Sequence, residues 1–380
     1  MSNERSHQSG SGLDVLISGG SMGGLFTGIA LARSGHRPTI YERSAGALKS
    51  RGGGIVAQRN IRRFLGDHDL VDPEAITTRS HERRFLDESG DVERAVSETM
   101  VFTSWDALYR QLRDAFPDER YRTGTAVTAV TPETATVTID DGTERTADVV
   151  VSAEGGQSTT RAHLHPNVEP EFASYVAWRG VVDEAALPAG CVEAFDGTFT
   201  FYQGTDQLIL AYFIPGPDGE TERGSRRLNW VWYDTLDGRD RRAIFTDTSD
   251  TERRFSVSPG RLREPVGRRQ RERAATLPPV FETLVGETPE LFVQAIYDLT
   301  VPAMVAGRAC LLGDAAFVAR PHTAAGTAKA AGDATALADA LASHGSVDDA
   351  LEAWGRTRTE YGTTLVARGK QMGDVRLNLD

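Results

Sequence analysis

A glycine-rich turn between a short strand and a helix is the feature that most restricts the fold of this chain. The apolar run 13–18 has the composition of a buried parallel strand, and the segment 25–34 is typical of a helix. The run 38–41 predicts a second strand, which completes a β-α-β unit of roughly 30 residues. The sequence therefore predicts an α/β fold built on a parallel sheet.

The turn itself has the composition of a dinucleotide-binding motif. Glycines let the backbone turn tightly and approach a pyrophosphate, and the following helix N-terminus favours the negative charge. Glu42 ends the second strand, where an acid that binds a ribose hydroxyl is expected. Strand, turn, helix and terminal acid together favour a dinucleotide site over a merely tight turn. The turn residues are Gly19, Gly20, Ser21, Gly23 and Gly24, with serine at the second motif glycine.

The middle of the chain has a different pattern. From residue 175 to residue 233, runs rich in aromatic and β-branched residues alternate with turn signals, which predicts an antiparallel sheet. The segment 239–287 is helical in patches. A strand at 310–312 and two alanine-rich helices at 323–343 and 347–368 follow. The chain is thus expected to leave a nucleotide-binding domain, form a sheet domain and return.

Charge and composition exclude several kinds of partner. The 380 residues carry a net charge of -12, so no basic field attracts nucleic acid. No apolar stretch reaches the roughly 18 residues of a membrane span, and the N-terminus is polar, which predicts a cytoplasmic protein without a membrane partner. Cys191 and Cys310 lack the spacing of a metal or redox pair and are expected to be buried thiols. No metal site is expected.

Four motifs carry a specific resemblance to a known family. The glycine turn, Glu42-Arg43, Ser152-Ala153-Glu154-Gly155 and Gly313-Asp314 resemble, in this order, the FAD-dependent aromatic hydroxylases, the flavoprotein monooxygenases that include p-hydroxybenzoate hydroxylase. The match spans almost the whole chain, and the late Gly-Asp motif is its most specific element. Within the family, segments 175–181, 227–233 and 320–326 are most similar to the members that hydroxylate dihydroxypyridines.

The resemblance implies a p-hydroxybenzoate hydroxylase-like fold, in which a Rossmann-like FAD-binding domain carries an antiparallel-sheet substrate domain. The implied FAD-binding segments are 13–76, 99–168 and 300–345. The implied substrate-domain segments are 77–98 and 169–299, and 346–380 is a C-terminal helix.

The resemblance also implies non-covalent FAD. The residues assigned to the cofactor are Gly19, Gly20, Ser21, Gly23, Gly24, Glu42, Arg43, Trp105, Val127, Glu154, Asp314, Pro321, Gly326 and Thr327. Three of these positions depart from the family pattern. Ser21 replaces a glycine, Glu154 replaces the usual aspartate, and Trp105 stands where many members carry an arginine. These departures motivate one alternative, an FAD-binding protein with impaired catalysis.

The activity implied is hydroxylation of a small activated aromatic or N-heteroaromatic ring with O2, through a flavin C4a-hydroperoxide. NADH or NADPH would act as a transient co-substrate. Hydroxylation or epoxidation of another phenol-like or urate-like substrate remains an alternative. Trp230-Val231-Trp232 resembles part of a halogenase motif, but the following Tyr233-Asp234 lacks its Ile-Pro, which disfavours halogenation. The oligomeric state stays open, with a homodimer as one option.

Ionising a substrate hydroxyl raises the nucleophilicity of the ring, so a base helps this chemistry. His322 is the candidate catalytic and substrate-binding residue, and the alternative is a histidine that caps the next helix. Arg179 and Arg320 are candidates to hold an anionic substrate or the flavin, the alternative being unpaired surface arginines. The candidate substrate contacts on the sheet, each with a core role as its alternative, are Trp178, Tyr202, Tyr212 and Trp230.

Overall fold

The computed structural model describes residues 12–46, 48, 53–236 and 240–379. The predicted polar N-terminal tail, apart from Gly12, lies outside these residues. The strands are β1 (Asp14–Ser18), β2 (Arg37–Glu42), β3 (Gly54–Val56), β4 (Thr78–Leu86), β5 (Val92–Ser104), β6 (Tyr121–Thr123), β7 (Val127–Thr131), β8 (Thr136–Ile139), β9 (Glu144–Thr146), β10 (Val149–Ser152), β11 (Glu171–Asp183), β12 (Thr198–Gly204), β13 (Gln207–Ile214), β14 (Arg227–Thr235), β15 (Ser256–Val257), β16 (Phe292–Thr300), β17 (Val305–Ala306), β18 (Ala309–Leu311) and β19 (Phe317–Val318). The helices are α1 (Met22–Arg33), α2 (Arg59–Asp67), α3 (Trp105–Asp114), α4 (Thr159–Leu164), α5 (Ala189–Phe195), α6 (Arg241–Phe245), α7 (Glu264–Arg273), α8 (Pro279–Glu287), α9 (Gly326–Ser343) and α10 (Val347–Leu377).

The glycine-rich turn belongs to a mainly parallel sheet with the strand order β17-β18-β10-β1-β2-β6. Strand β1 pairs in parallel with both β2 and β10, and β10 pairs in parallel with β18. All four residues of β10 are buried, as expected for a strand covered on both faces. Helices α1, α2, α3 and α9 contribute to the core on one face, and β7 and β8 contribute to a smaller core with β1 and β10. This arrangement is the predicted Rossmann-like domain.

The middle of the chain forms the predicted antiparallel sheet. Its strand order is β15-β16-β11-β14-β13-β12-β4-β5-β3, and β19 pairs with the end of β16. The pairings β16-β11-β14-β13-β12 are antiparallel, whereas β12 pairs in parallel with β4. One face packs against α5 and α8, and the other face packs toward β5 and the end of α10. The sheet is therefore covered on both faces.

One element extends past a boundary expected from the sequence, whereas the C-terminal helix α10 lies inside the expected range 346–380. Strand β5 continues to Ser104, past the predicted boundary at residue 98, because it keeps pairing with β4 and β3. Helix α10 continues to Leu377, where Asn378 ends it in the left-handed conformation with a φ of 48°. Within the described ranges, no helix combines the length and the apolar composition needed to cross a membrane.

Candidate active site

Three sequence motifs that are far apart in the chain lie side by side at one edge of the parallel sheet. The glycine-rich turn follows β1, Glu154 follows β10, and Asp314 follows β18. The carboxyl ends of neighbouring parallel strands share an edge, and open α/β sheets bind ligands in the crevice beyond that edge. The fold therefore brings the three motifs into one candidate cofactor crevice.

The glycine-rich turn is folded so closely that side chains do not fit at key positions. Gly19 has a φ of +104°, and a Cβ atom on Gly24 would lie 1.8 Å from the carbonyl oxygen of Gly19. Ser21 precedes α1 in an extended conformation, and its side chain makes no capping hydrogen bond. The turn thus leaves a small hydroxyl and the start of a helix available, which suits a pyrophosphate.

Glu42 is buried and fixed by two backbone amides. Its carboxylate accepts hydrogen bonds from the Gly20 nitrogen at 2.8 Å and from the Ser44 nitrogen at 2.8 Å. Tyr121 donates to the Gly20 oxygen at 2.7 Å, so the turn is held from both sides. The neighbouring Arg43 is exposed. Glu42 therefore lies beside the glycine turn, as its predicted ribose role requires.

Glu154 is surrounded by donors from its own segment. Its carboxylate accepts hydrogen bonds from Ser18 Oγ at 2.6 Å, Ser158 Oγ at 2.7 Å, and Thr160 nitrogen and Oγ1 at 3.0 and 2.9 Å. These bonds link the end of β1 to the start of α4. A shorter aspartate would reach fewer of these donors, so the longer carboxylate matches its local partners. The predicted cofactor role of Glu154 stays a prediction.

Asp314 is half exposed and lies beside a buried lysine. The Nζ atom of Lys329 is 3.3 Å from Asp314 Oδ1, and the Lys329 side chain is 1% exposed and also donates to the Phe317 carbonyl. The preceding Gly313 nitrogen donates to the buried Asp333 carboxylate at 3.1 Å. The Gly-Asp motif is therefore held in place by α9, which carries both Lys329 and Asp333.

The start of α9 offers free backbone donors near this motif. Ala325 precedes the helix without a side-chain capping bond, Gly326 is exposed, and Thr327 is half-buried. The first amides of a helix have no partner within the helix and carry a partial positive charge. These amides suit the electronegative edge of a flavin ring, the role expected from the sequence for Gly326.

Two other predicted cofactor residues, Trp105 and Val127, have partners within the protein, and their cofactor roles stay predictions. Trp105 begins α3 and stacks on Tyr109 with a ring separation of 4.7 Å. Val127 begins β7 and is buried in a cluster with Leu16 and Tyr41. Taken together, the glycine turn, the free Ser21 side chain and the uncapped α9 N-terminus fit an FAD molecule.

A cavity of about 380 Å³ lies between the large sheet and the segment 314–321. Two predicted cofactor residues, Asp314 and Pro321, line it together with residues from the sheet. The sheet residues that face this cavity include Ala177, Arg179, Val231, Tyr233, Gln294 and Ile296. One cavity is therefore bounded by the segment 314–321 and by the antiparallel sheet.

Three of the predicted substrate residues lie on the opposite face of the sheet. Trp178, Tyr202 and Trp230 are buried in the core that includes α5 and α8, and Trp230 Nε1 donates to Thr288 Oγ1 at 2.8 Å. Tyr212 is on the cavity side but stacks on Phe102 at 4.1 Å and does not line the cavity. The structure brings none of these four residues to the cavity. Side chains alternate between the two faces along each strand, so the neighbours of Trp178 and Trp230 face the cavity instead.

Arg179 supplies the charge of the cavity. Its Nη1 donates to Gln294 Oε1 at 3.0 Å, while its Nε is buried without a hydrogen-bond partner among the described residues. No carboxylate of the described residues pairs with it. Asn229, on the same face, is fully buried; its Oδ1 accepts from the Gly54 nitrogen at 2.7 Å, and its Nδ2 has no partner in the described part of the chain. The cavity face of the sheet thus carries unused polar donors, including an uncompensated positive charge.

Arg320 has a different environment from the one expected for a surface arginine. It is buried, its Nη2 lies 2.9 Å from Asp298 Oδ2, and its Nη1 lies 2.6 Å from Asp374 Oδ1. Two carboxylates from distant segments neutralise it, so the interpretation of Arg320 as an unpaired surface residue is wrong. Its contacts join α10 to β16.

His322 lies behind the cavity wall. Its Nε2 is 2.9 Å from the hydroxyl of Tyr175, its Nδ1 has no partner among the described residues, and its ring is 4.5 Å from that of Tyr233. Tyr233 lines the cavity, but His322 does not. Burial, together with the nearby Arg376 and Arg320, lowers the pKa of His322 to about 3. His322 is therefore neutral at pH 7, and its role as a base stays a prediction.

We expect His322 to make the protein less stable in mild acid. The unfolded histidine binds a proton below about pH 6.5, whereas the folded one stays neutral until about pH 3, so stability falls as the pH decreases between these values. This group alone accounts for a loss of about 2 kcal/mol between pH 7 and pH 5. Urea unfolding of the wild type and of His322→Gln at both pH values measures it, and equal losses in the two proteins would contradict it.

The same variant tests the catalytic role of His322. If His322 accepts the proton of the substrate hydroxyl, His322→Gln should release more hydrogen peroxide per NAD(P)H consumed than the wild type does. FAD should still be bound in this variant. Unchanged coupling would leave His322 only its packing role beside Tyr175.

The comparison with known proteins agrees with this geometry. Residues 172–298 match a family model described as FAD binding domain-like. The chain is 32% identical over 362 residues to 2,6-dihydroxypyridine 3-monooxygenase of Paenarthrobacter nicotinovorans, a match that covers 94% of this chain and 90% of that protein. The chain belongs to the FAD-dependent aromatic hydroxylases.

Solved structures extend the match to the whole fold. The structure of 2,6-dihydroxypyridine-3-hydroxylase from Arthrobacter nicotinovorans superposes with a TM-score of 0.91 at 32% identity, covering 97% of this chain and 93% of that one. Klebsiella pneumoniae HpxO, complexed with FAD and uric acid, has the same fold with a TM-score of 0.78 at 18% identity, covering 97% and 90% of the two chains. The predictions of the family, the fold class and an FAD cofactor for this aromatic hydroxylase are confirmed.

Several residues of the site were not predicted from the sequence. Asn229 and Tyr233 lie in the segment 227–233, where the resemblance assigned a role to neither, whereas Lys329 and Gln294 lie outside the motifs of the resemblance. Only the pairing of β11, β14 and β16 brings Asn229, Tyr233 and Gln294 to one face. One signal was available for Lys329. The chain has few lysines, and this one lies in an alanine-rich helix, where a lone cation is unusual.

Proposed function

We propose that this hydroxylase acts on a small, electron-rich ring that carries an acidic ring hydroxyl, of the dihydroxypyridine class, using NAD(P)H and O2. The observation that carries the proposal is Arg179, a cation without a carboxylate partner among the described residues, in the cavity that Asp314 and Pro321 also line. A relative with 32% identity is named for this substrate class, which supports the same choice.

The charge of Arg179 explains why the substrate should be acidic. A guanidinium next to a ring hydroxyl favours its ionised form and lowers its pKa. The ionised oxygen donates electron density to the ring carbons, which makes them better nucleophiles. Arg179 is oriented by Gln294, so it can hold an oxyanion in a fixed position. Reduced FAD, when bound, supplies the activated oxygen that such a ring accepts.

The remaining cavity residues provide shape and exclude water. Ala177, Val231 and Ile296 are apolar, and Tyr233 is 4% exposed, so the wall around Arg179 is mostly dry. A low-dielectric wall strengthens the attraction between the guanidinium and an oxyanion. A volume of about 380 Å³ lies at the small end of ligand cavities and suits a single ring.

The alternative of impaired catalysis has less support. It was based on Ser21, Glu154 and Trp105, and the structure accommodates Ser21 in an intact turn and Glu154 in a complete set of hydrogen bonds. These two departures therefore leave the glycine turn and the segment after β10 well formed. A phenol-like or urate-like ring oxyanion would also satisfy Arg179, so the substrate panel must include both.

We expect that binding of the substrate ring speeds up reduction of the bound FAD by NAD(P)H. The FAD-loaded protein is mixed with NADH or NADPH in a stopped-flow instrument, with and without 2,6-dihydroxypyridine, and products from phenols, pyridines and urate are identified by mass spectrometry. Faster reduction with the ring and a hydroxylated product support the proposal. Equal reduction rates, together with no hydroxylated product from any ring, would contradict it.

A further inference from the structure

A second cavity, which we call the arginine cleft, opens next to the active-site cavity. It has a volume of about 640 Å³ and lies between the segment before β11, helix α6, the segment 252–254 and β16. Among the residues that the structure describes, four arginines line it, and Glu252 is the one acidic lining residue. This concentration of positive charge is unusual in a chain with a net charge of -12. The residues used below are Phe172, Arg241, Arg242, Arg253, Arg254 and Tyr297.

The arginines of the cleft differ in how far their charges are compensated. Arg253 lies 2.7 Å from the buried Asp247, and Arg242 pairs with Glu252 at 3.4 Å. Arg254 pairs with Glu169 at 3.1 Å, but both side chains are more than half exposed, so this pair is weak and displaceable.

Arg241 is the uncompensated cation of the cleft. It is half-buried and has no carboxylate partner among the described residues. It lies 4.3 Å above the ring of Phe172, and its Nη2 donates to the Arg254 carbonyl at 3.1 Å and to the Tyr297 hydroxyl. A guanidinium held in this way keeps its remaining donors free for an anion, and arginine forks bind phosphate groups well. Arg241 and Arg254 together therefore form an anion site with an aromatic floor.

The arginine cleft and the active-site cavity share a wall. Tyr297 lines both, and Arg254 lines the cleft while the next residue, Phe255, lines the active-site cavity. The rings of Phe255 and Tyr297 pack against each other with a separation of 4.8 Å. A ligand that has phosphates at one end and a planar ring at the other can therefore keep its phosphates on the arginines while its ring lies next to the active site.

We propose that the arginine cleft binds the nucleotide part of NAD(P)H, with Arg241 and Arg254 on the pyrophosphate. The inference rests on the proposed function, since that function requires a reduced pyridine nucleotide at the flavin. The half-exposed guanidinium of Arg254 also offers a plane for stacking with a base. The chain thus receives its electron donor on the substrate domain, apart from the crevice that holds FAD.

Binding of ADP-ribose tests this site without any turnover. The probe carries the pyrophosphate and adenosine of the nucleotide, and its affinity for the FAD-loaded protein is measured by isothermal titration calorimetry. We expect Arg241→Gln and Arg254→Gln each to weaken binding about tenfold or more, the range for a lost charge-assisted hydrogen bond. The control Arg268→Gln removes an exposed arginine of α7, paired with Glu264 outside the cleft, and should bind as the wild type does.

Further measurements separate this site from folding and from the proposed function. Arg254 is half exposed, so its variant keeps the fold even if Arg241→Gln loses packing on Phe172. FAD content and reduction by dithionite should be unchanged in both variants. A wild type that binds ADP-ribose but hydroxylates no ring would contradict only the proposed function. A wild type that does not bind ADP-ribose, or cleft variants that bind it as tightly as Arg268→Gln does, would overturn the arginine cleft.

Discussion

Replacing Arg179 with methionine is expected to lower kcat/KM for ring hydroxylation by about 10²- to 10³-fold, the range for removing a group that stabilises a developing oxyanion. Arg179 is the cation of the active-site cavity, and it holds its place through Gln294 and its strand. Methionine fills a similar volume without the charge. FAD content should not change, because Arg179 lies on the substrate domain.

The pH dependence of this loss distinguishes an electrostatic role from a packing role. If Arg179 favours the ionised ring, the defect of Arg179→Met should shrink at a pH where the substrate is already ionised in solution. Arg179→Lys, which keeps the charge but loses the planar fork, should have an intermediate activity. A kcat/KM value for Arg179→Met within about twofold of the wild type would remove Arg179 from the substrate site.

Glu42→Ala is expected to weaken FAD binding by about 1 to 3 kcal/mol, or roughly 5- to 150-fold in the dissociation constant. The carboxylate accepts hydrogen bonds from the amides of Gly20 and Ser44, so its removal takes away the partner of the buried Gly20 amide and loosens the glycine turn. It also removes the acid expected to bind the ribose. Quenching of flavin fluorescence during titration of the apoprotein with FAD measures the change.

The matched variant Glu42→Gln keeps the size of the side chain and one acceptor oxygen. It should lose less affinity than Glu42→Ala, because one of the two amides keeps its partner. Acid precipitation of the wild type should release the yellow chromophore into the supernatant, as expected for non-covalent FAD. Unchanged FAD affinity in both variants would remove Glu42 from the cofactor site.

The cofactor crevice could be predicted from the sequence because its signals are local. The glycine turn is followed by α1, and Glu42, Glu154 and Asp314 each follow a short apolar strand. Parallel strands place such residues at one edge of the sheet whatever their separation in sequence. The fold class therefore follows from the motif order, and FAD follows from the family resemblance that these motifs carry.

The substrate side could not be predicted in the same way. Strands β11 and β14 are buried on both faces, so alternation of polar and apolar residues does not mark the face of the cavity. The large aromatic residues Trp178 and Trp230 are typical of a ring-binding wall, yet they pack into the core on the opposite face, while the small Ala177 faces the cavity.

Pairing of charges across the fold was also invisible in the sequence. Arg320 is neutralised by Asp298 and Asp374. Arg179 is also an arginine, but it pairs with no carboxylate among the described residues. The difference depends on contacts between distant segments. This is why the two arginines received the same interpretation from the sequence, although their environments in the structure differ.

The central claim is that the chain inserts one oxygen atom from O2 into a ring whose hydroxyl is ionised beside Arg179. The most direct measurement is turnover of FAD-loaded protein with NAD(P)H and 2,6-dihydroxypyridine under ¹⁸O2, followed by mass spectrometry of the product. The account predicts one ¹⁸O atom in each hydroxylated ring, with product formation strongly reduced in Arg179→Met. Hydroxylated product that carries oxygen from water, or NAD(P)H oxidation that yields only hydrogen peroxide with every ring tested, would contradict it.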